Sequence, residues 1–90
     1  MNILYTKSFS KDLDTIRHES KIKERLLALI GKIKKVDTIS DLSDVKKMEG
    51  YPGYFRIRVG DYRLGIKVAE KNIEMIRFLH RKEIYRRFPK

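Results

Sequence analysis

The stretch Tyr54–Val68 constrains this chain more than any other. Its first six residues alternate, with Tyr54, Arg56 and Arg58 on one side and Phe55, Ile57 and Val59 on the other. That is the period-two pattern of a strand with one buried face. Gly60-Asp61 follows, which is turn chemistry for a tight hairpin. Alternation resumes over Tyr62–Val68, with Tyr62, Leu64, Ile66 and Val68 opposite Arg63, Gly65 and Lys67. Glu70–Asn72 reads as a second turn and Ile73–Leu79 as a third strand of a meander. Apolar residues of both parities, Ile73 and Met75 against Ile76 and Phe78, predict that this strand is buried on both faces.

Ahead of the meander the period is helical. Asn2–Thr6 is short and β-prone, a first strand. Ser8 or Ser10 is expected to cap a helix whose apolar positions are Phe9, Leu13 and Ile16, with Asp12 and Asp14 placed where the helix dipole favours negative charge. Ser20 begins a second helix with one apolar stripe, Ile22, Leu26, Leu29, Ile30 and Ile33. Gly31 inside it weakens the helix and leaves room for a close neighbour. The short link between the two predicts an antiparallel helical hairpin. Val36–Lys47 reads as a loop with one helical turn, and Gly50-Tyr51-Pro52-Gly53 as a breaker in which Pro52 sets the turn into the sheet. His80–Lys90 reads as a basic tail anchored by Ile84, Tyr85 and Phe88. With no internal repeat or linker, the expectation is one α+β domain over residues 1–90. It comprises an N-terminal strand, an antiparallel helical hairpin, and an antiparallel meander packed on the helices with its arginine face open.

Charge says what such a face is for. The 90 residues carry 22 Lys and Arg against 12 Asp and Glu, a formal net charge of +10. Residues 1–50 hold 11 basic and 8 acidic side chains, whereas residues 51–90 hold 11 and 4. Seven of the nine arginines lie after residue 50. Guanidinium is a planar fork matched to phosphate oxygens, and lysine a hydrated point charge suited to solubility. The second half therefore reads as a polyanion-binding surface and the first as scaffold. No cysteine is present, so disulfides, thiolate nucleophiles and Cys-based zinc sites are excluded. Two histidines, His18 and His80, are too few for a His-only metal cage, and His18 reads as surface. The longest apolar run, Leu26–Ile30, is five residues against the ~20 of a membrane span. No signal-peptide pattern opens the chain. The expectation is a cytoplasmic protein with no membrane partner.

The stretch Met48–Val68, MEGYPGYFRIRVGDYRLGIKV, and the ending His80–Tyr85, HRKEIY, resemble the RelE/ParE superfamily of bacterial toxins from toxin–antitoxin pairs, and the RelE-like branch above all. The resemblance covers essentially the whole chain. It implies a microbial RNase-like fold, a cognate antitoxin, operator DNA bound through the antitoxin complex, and no cofactor. RelE-type members are ribosome-dependent endonucleases that cut mRNA, whereas ParE-type members share the fold and poison DNA gyrase. Carried over by motif, the RelE site falls on Arg56 and Arg58, on Arg63, on Arg81 and on Tyr85. Lys67 shares the face of Arg63 and adds a further phosphate contact.

Cleaving RNA through its own 2′-hydroxyl needs a base for the 2′ proton, an acid for the leaving 5′ oxygen, and positive charge on the phosphorane. Arginine meets only the third need. Arg63 is expected on the scissile phosphate, with Arg56, Arg58 and Lys67 on that or neighbouring phosphates and Arg81 stabilising the leaving oxygen. Some relatives have lysine where Arg56 and Arg58 stand. Arginine cannot be deprotonated, so both are stabilisers and the base lies elsewhere. Tyr85 can serve only if flanking cations favour its phenolate, and it can otherwise stack on a nucleobase. His80 is an imidazole, suited to acid–base work near neutrality. Glu49 and Glu83, the acids nearest in sequence, read mainly as surface charges, and Tyr54 and Tyr62 as sheet packing.

Overall fold

A computed structural model of the chain describes residues 1–89. It consists of β1 (Asn2–Tyr5), α1 (Lys7–Thr15), α2 (Ser20–Lys35), a 3-10 turn at Ile39–Asp41, β2 (Val45–Lys47), β3 (Tyr54–Val59), β4 (Tyr62–Ala69), β5 (Asn72–His80) and α3 (Arg81–Arg87). The strands form one sheet in the order β1-β5-β4-β3-β2. Pairings are antiparallel except at the β1 edge, which runs parallel to β5. The expected α+β architecture is the one observed, and the three meander strands fall where alternation placed them.

Each period comes from what it buries. Phe9 and Ile16 from the α1 segment and Leu26, Ile30 and Ile33 from α2 are buried against Ile57, Val59, Leu64, Ile66, Ile73, Met75 and Phe78 of the sheet. Helix α1 lies over β5 and α2 over β3. At about 1.5–3 kcal/mol for each fully buried large apolar side chain, this layer is the main source of stability. Among the described residues no helix is long and apolar enough to cross a membrane.

Several local expectations are corrected. The α1 cap is Thr6, not Ser8 or Ser10: its Oγ1 accepts from Phe9 N at 3.1 Å, and its hydroxyl donates to the Met75 and Ile76 carbonyls at 2.9 and 3.0 Å. Asp12 does not sit at the helix dipole. It is buried at 5% exposure and accepts Arg77 Nε, Arg77 Nη2 and Phe78 N, each at 2.9 Å. Both devices hold the irregularity of β5, where Gly65 faces Arg77 and Ile66 faces Met75, leaving Ile76 unpaired. That extra residue puts Met75 and Phe78 in the same core, while helices pack on both faces of the strand, α1 on one and α3 on the other. No neighbour approaches the Cβ position of Gly31 within 4 Å, so that glycine serves no close contact.

Two further corrections shape the site. Val36–Lys47 is not all loop: Val45–Lys47 adds an edge strand antiparallel to β3, with Lys46 opposite Arg56. The basic tail after His80, which the sequence reading leaves without secondary structure, is helical over Arg81–Arg87, and Lys90 lies outside the described residues. Ile84 and Phe88, one helical turn apart, are both buried, yet neither belongs to the main core. They pack on the opposite face of the sheet, which is therefore partly covered rather than open.

Candidate active site

The hairpin β3–β4 builds the floor. Tyr54, Arg56 and Arg58 pair across the ladder with Lys67, Gly65 and Arg63 respectively, so all six positions share the face away from α1 and α2. Gly60 makes the tight turn possible with a positive φ of 59°. Arg63 folds back on that turn, and its Nη1 donates to the Gly60 and Tyr62 carbonyls, both at 2.9 Å. The guanidinium is thereby fixed in place while its remaining N–H groups have no protein acceptor among the described residues.

Helix α3 closes one side. Arg81 N donates to the Asp61 carbonyl at 2.8 Å, tying the start of the helix to the same turn. Phe88 then seats on Gly65 and 5.9 Å from the Tyr54 ring. Helical spacing carries Tyr85 over the floor, where the Arg56 Cζ lies 4.5 Å from its ring centroid. Arg56 is 7% exposed and Tyr85 is 67% exposed. A cation sandwiched under an aromatic face is attracted to the ring quadrupole, which offsets part of its desolvation.

The result is a cleft of about 230 Å³ lined by Asp44, Val45, Lys46, Arg56, Arg58, Arg63 and Tyr85. Among the described residues the ion pairs are Asp12–Arg77 and Glu83–Arg87, so no cation of the cleft has a carboxylate partner. Arg58 and Arg63 stand directly opposite each other, a like-charge pair that destabilises a sheet unless an anion bridges it.

Of the residues expected from sequence, Arg56, Arg58, Arg63 and Tyr85 are brought together. Arg81, His80 and Lys67 do not line the cleft. The His80 ring turns to the helix-covered face, edge-on to Tyr62 at 5.6 Å, and its Nδ1 accepts Lys82 N at 3.2 Å, capping α3. Lys67 lies over the Tyr54 ring, with Nζ 5.4 Å from the centroid. Arg81 is exposed at the first turn of α3. Lys46 and Asp44 were invisible to the loop reading; the β-branched start of Val45-Lys46-Lys47 was the one local sign of a strand there. Tyr62, as expected, packs: it stacks on Phe78 at 5.2 Å and donates to Glu19 Oε2 at 2.8 Å. Burial first, then the Glu19 bond and the Glu19 and Asp61 charges, push its phenol above the ordinary value of 10.0.

A family model described as ParE toxin of type II toxin–antitoxin system, parDE, matches residues 3–85. Toxin RelE3 of Methanocaldococcus jannaschii is 42% identical over 90 residues, covering 99% of this chain and 100% of the relative. The chain belongs to the RelE/ParE superfamily of toxins. Superposition agrees with this RelE/ParE assignment. The toxin of the RelB–RelE antitoxin–toxin complex from Methanococcus jannaschii matches with a TM-score of 0.81 and 40% identity, over 96% of this chain and 99% of the other. YafQ from E. coli strain BL21(DE3) shares the RelE/ParE fold at a TM-score of 0.74 and 21% identity, over 93% and 97% of the two chains.

Proposed function

We infer that this toxin is a ribosome-dependent mRNA endonuclease that arrests translation by attack of the substrate 2′-hydroxyl on the adjacent phosphorus. The observation that carries this reading is the cleft in which Arg56, Arg58, Arg63 and Lys46 converge without a carboxylate partner. Charge builds on the two non-bridging oxygens as the phosphorane forms, and preorganised N–H donors lower that barrier without reorganising. Arg63, held by two carbonyls, is assigned to the scissile phosphate. Arg56 and Arg58 bind the same or the next phosphate, and the Tyr85 ring fixes Arg56 and offers a face to a base. Lys67 and Arg81 act outside the cleft, steering the polyanion by long-range attraction. His80 is assigned the cap of α3 in place of proton transfer.

So few catalytic groups leave the alignment of the attacking hydroxyl to the ribosome, and effective molarity gained there is worth several orders of magnitude. Mapping of mRNA 5′ ends after adding the protein to translating ribosomes tests the reading. New ends with the wild type and about 10²–10³-fold fewer with Arg63→Ala support it; intact mRNA, or equal cleavage by the variant, overturns it. Because the similar Methanococcus toxin is seen with RelB, a cognate antitoxin is assigned as the partner, with operator DNA engaged through that complex. The ParE description of the matched family model favours a second reading, inhibition of DNA gyrase. Supercoiling blocked at stoichiometric toxin with translation untouched would establish it instead.

A further inference from the structure

The cleft is lined by four cations and a single carboxylate, Asp44. Its backbone is left-handed at φ 59°, a region that residues other than glycine seldom enter and that Asp tolerates better than most. The conformation is held from β3, since Arg58 N donates to the Asp44 carbonyl at 3.1 Å. Its carboxylate is exposed and is in no ion pair among the described residues. An unusual backbone, held by a strand that bears site residues and leaving a free carboxylate beside the phosphate cations, is an arrangement found where structure serves chemistry.

We propose that Asp44 is the general base of the cleft, a role that rests on the endonuclease reading above. The other lining groups are unsuited to it. Guanidinium does not give up a proton, and an ammonium or a phenol must each lose one before it can accept another. His80 lies on the opposite face. A carboxylate is ionised at neutral pH without tuning. In the step assigned here the 2′ O–H proton passes to Asp44 and the 2′ oxygen forms its bond to phosphorus. The P–O5′ bond breaks with its electron pair going to O5′, which takes a proton from solvent. Asp44 returns its own proton to solvent. The products are a 2′,3′-cyclic phosphate and a 5′-hydroxyl, with no net change in water. The charged and titratable groups facing Asp44 are Lys46, Arg56, Arg58, Arg63 and Tyr85 in the cleft. On its other side, toward α2, they are Arg25 and Lys32.

Single-turnover mRNA cleavage on programmed ribosomes, followed for wild type, Asp44→Asn and Asp44→Gly, tests the assignment. Both substitutes suit a left-handed residue, so the fold is kept, and circular dichroism checks it. The expected result is a loss of about 10²–10⁴-fold in both variants, with ribosome binding unchanged or tighter. An Asp44→Asn protein that cleaves within threefold of wild type overturns the base alone, as does a loss traced entirely to weaker ribosome binding. Wild-type protein that leaves mRNA intact overturns the endonuclease reading and the base with it.

Discussion

Phe88 occupies the space that a side chain at position 65 would need. A Cβ built on Gly65 would stand 2.6 Å from Phe88 Cδ1, and the same glycine faces Arg56 across the ladder. The seat of α3 and the floor of the arginine cleft are thus one strand position. Gly65→Ala is expected to lift Phe88 and cost about 1–3 kcal/mol, the usual range for overpacking. Cleavage should fall further than stability implies, because Tyr85 rides on the same helix. Urea unfolding and ribosome-dependent cleavage measure the two; a variant unchanged in both would show that Phe88 has room to move.

Tyr85 separates ring from hydroxyl. Tyr85→Phe preserves the aromatic face over Arg56 and is expected to keep cleavage within about fivefold of wild type, whereas Tyr85→Ala removes a contact of about 0.5–2 kcal/mol and should lose tenfold or more. Rates for the pair on programmed ribosomes decide the matter. Equal, severe loss in both would return the phenol to a proton-transfer role.

The Asp12–Arg77 pair tests the scaffold. Removing the carboxylate leaves Phe78 N unsatisfied and Arg77 without a counter-ion. Arg77 retains some exposure (its side chain is 21% accessible), which softens the usual penalty for breaking a buried pair. Asp12→Ala should cost about 2–3 kcal/mol, lowering the melting temperature by about 10 °C or more in a domain of this size. Calorimetry that found a shift under 3 °C would contradict the role given to this carboxylate in holding β5.

Tyr62 gives a pH signature with a fixed sign. Its pKa is raised in the fold, mainly by burial and then by Glu19, so on going alkaline the unfolded chain loses this proton first. The contribution is fully present below about 10, the unfolded value, and is lost as pH rises through the folded one. Thermal melts from pH 8 to 11 should fall more steeply for wild type than for Tyr62→Phe. Parallel curves would refute the assignment.

What could be read from the chain follows from how far each signal reaches along it. Strands β3, β4 and β5 announce themselves because alternation is local and Gly60-Asp61 fixes the turn between the first two. The stripe Leu26, Ile30 and Ile33 does the same for α2. Edge strand β2 has three residues, too few for a period, and it exists because Ile57, Arg56 and Phe55 offer it a partner. Helix α3 was hidden by its charge: Ile84 is its one buried residue, and Phe88, just past its end, seats on Gly65 twenty-three positions back. The cleft splits along the same line. Arg56, Arg58 and Arg63 follow from parity, whereas Asp44 and Lys46 arrive only through pairing. His80 was placed by its chemistry, but its strand parity with Tyr62 turns it to the other side.

Strand β5 runs straight into α3, with His80 both ending the strand and capping the helix. No slack separates the floor of the cleft from the element that covers it. A ligand gripping the outer side of α3 could therefore disarm the toxin by leverage, tilting Tyr85 off Arg56 without touching a guanidinium. The outer side of α3 carries Arg81, Lys82, Arg86 and Arg87, so added salt weakens such a grip as it weakens a plug seated among the cleft arginines. Antitoxin affinity lost with Lys82→Ala and Arg86→Ala but kept with Arg58→Ala tells lever from plug.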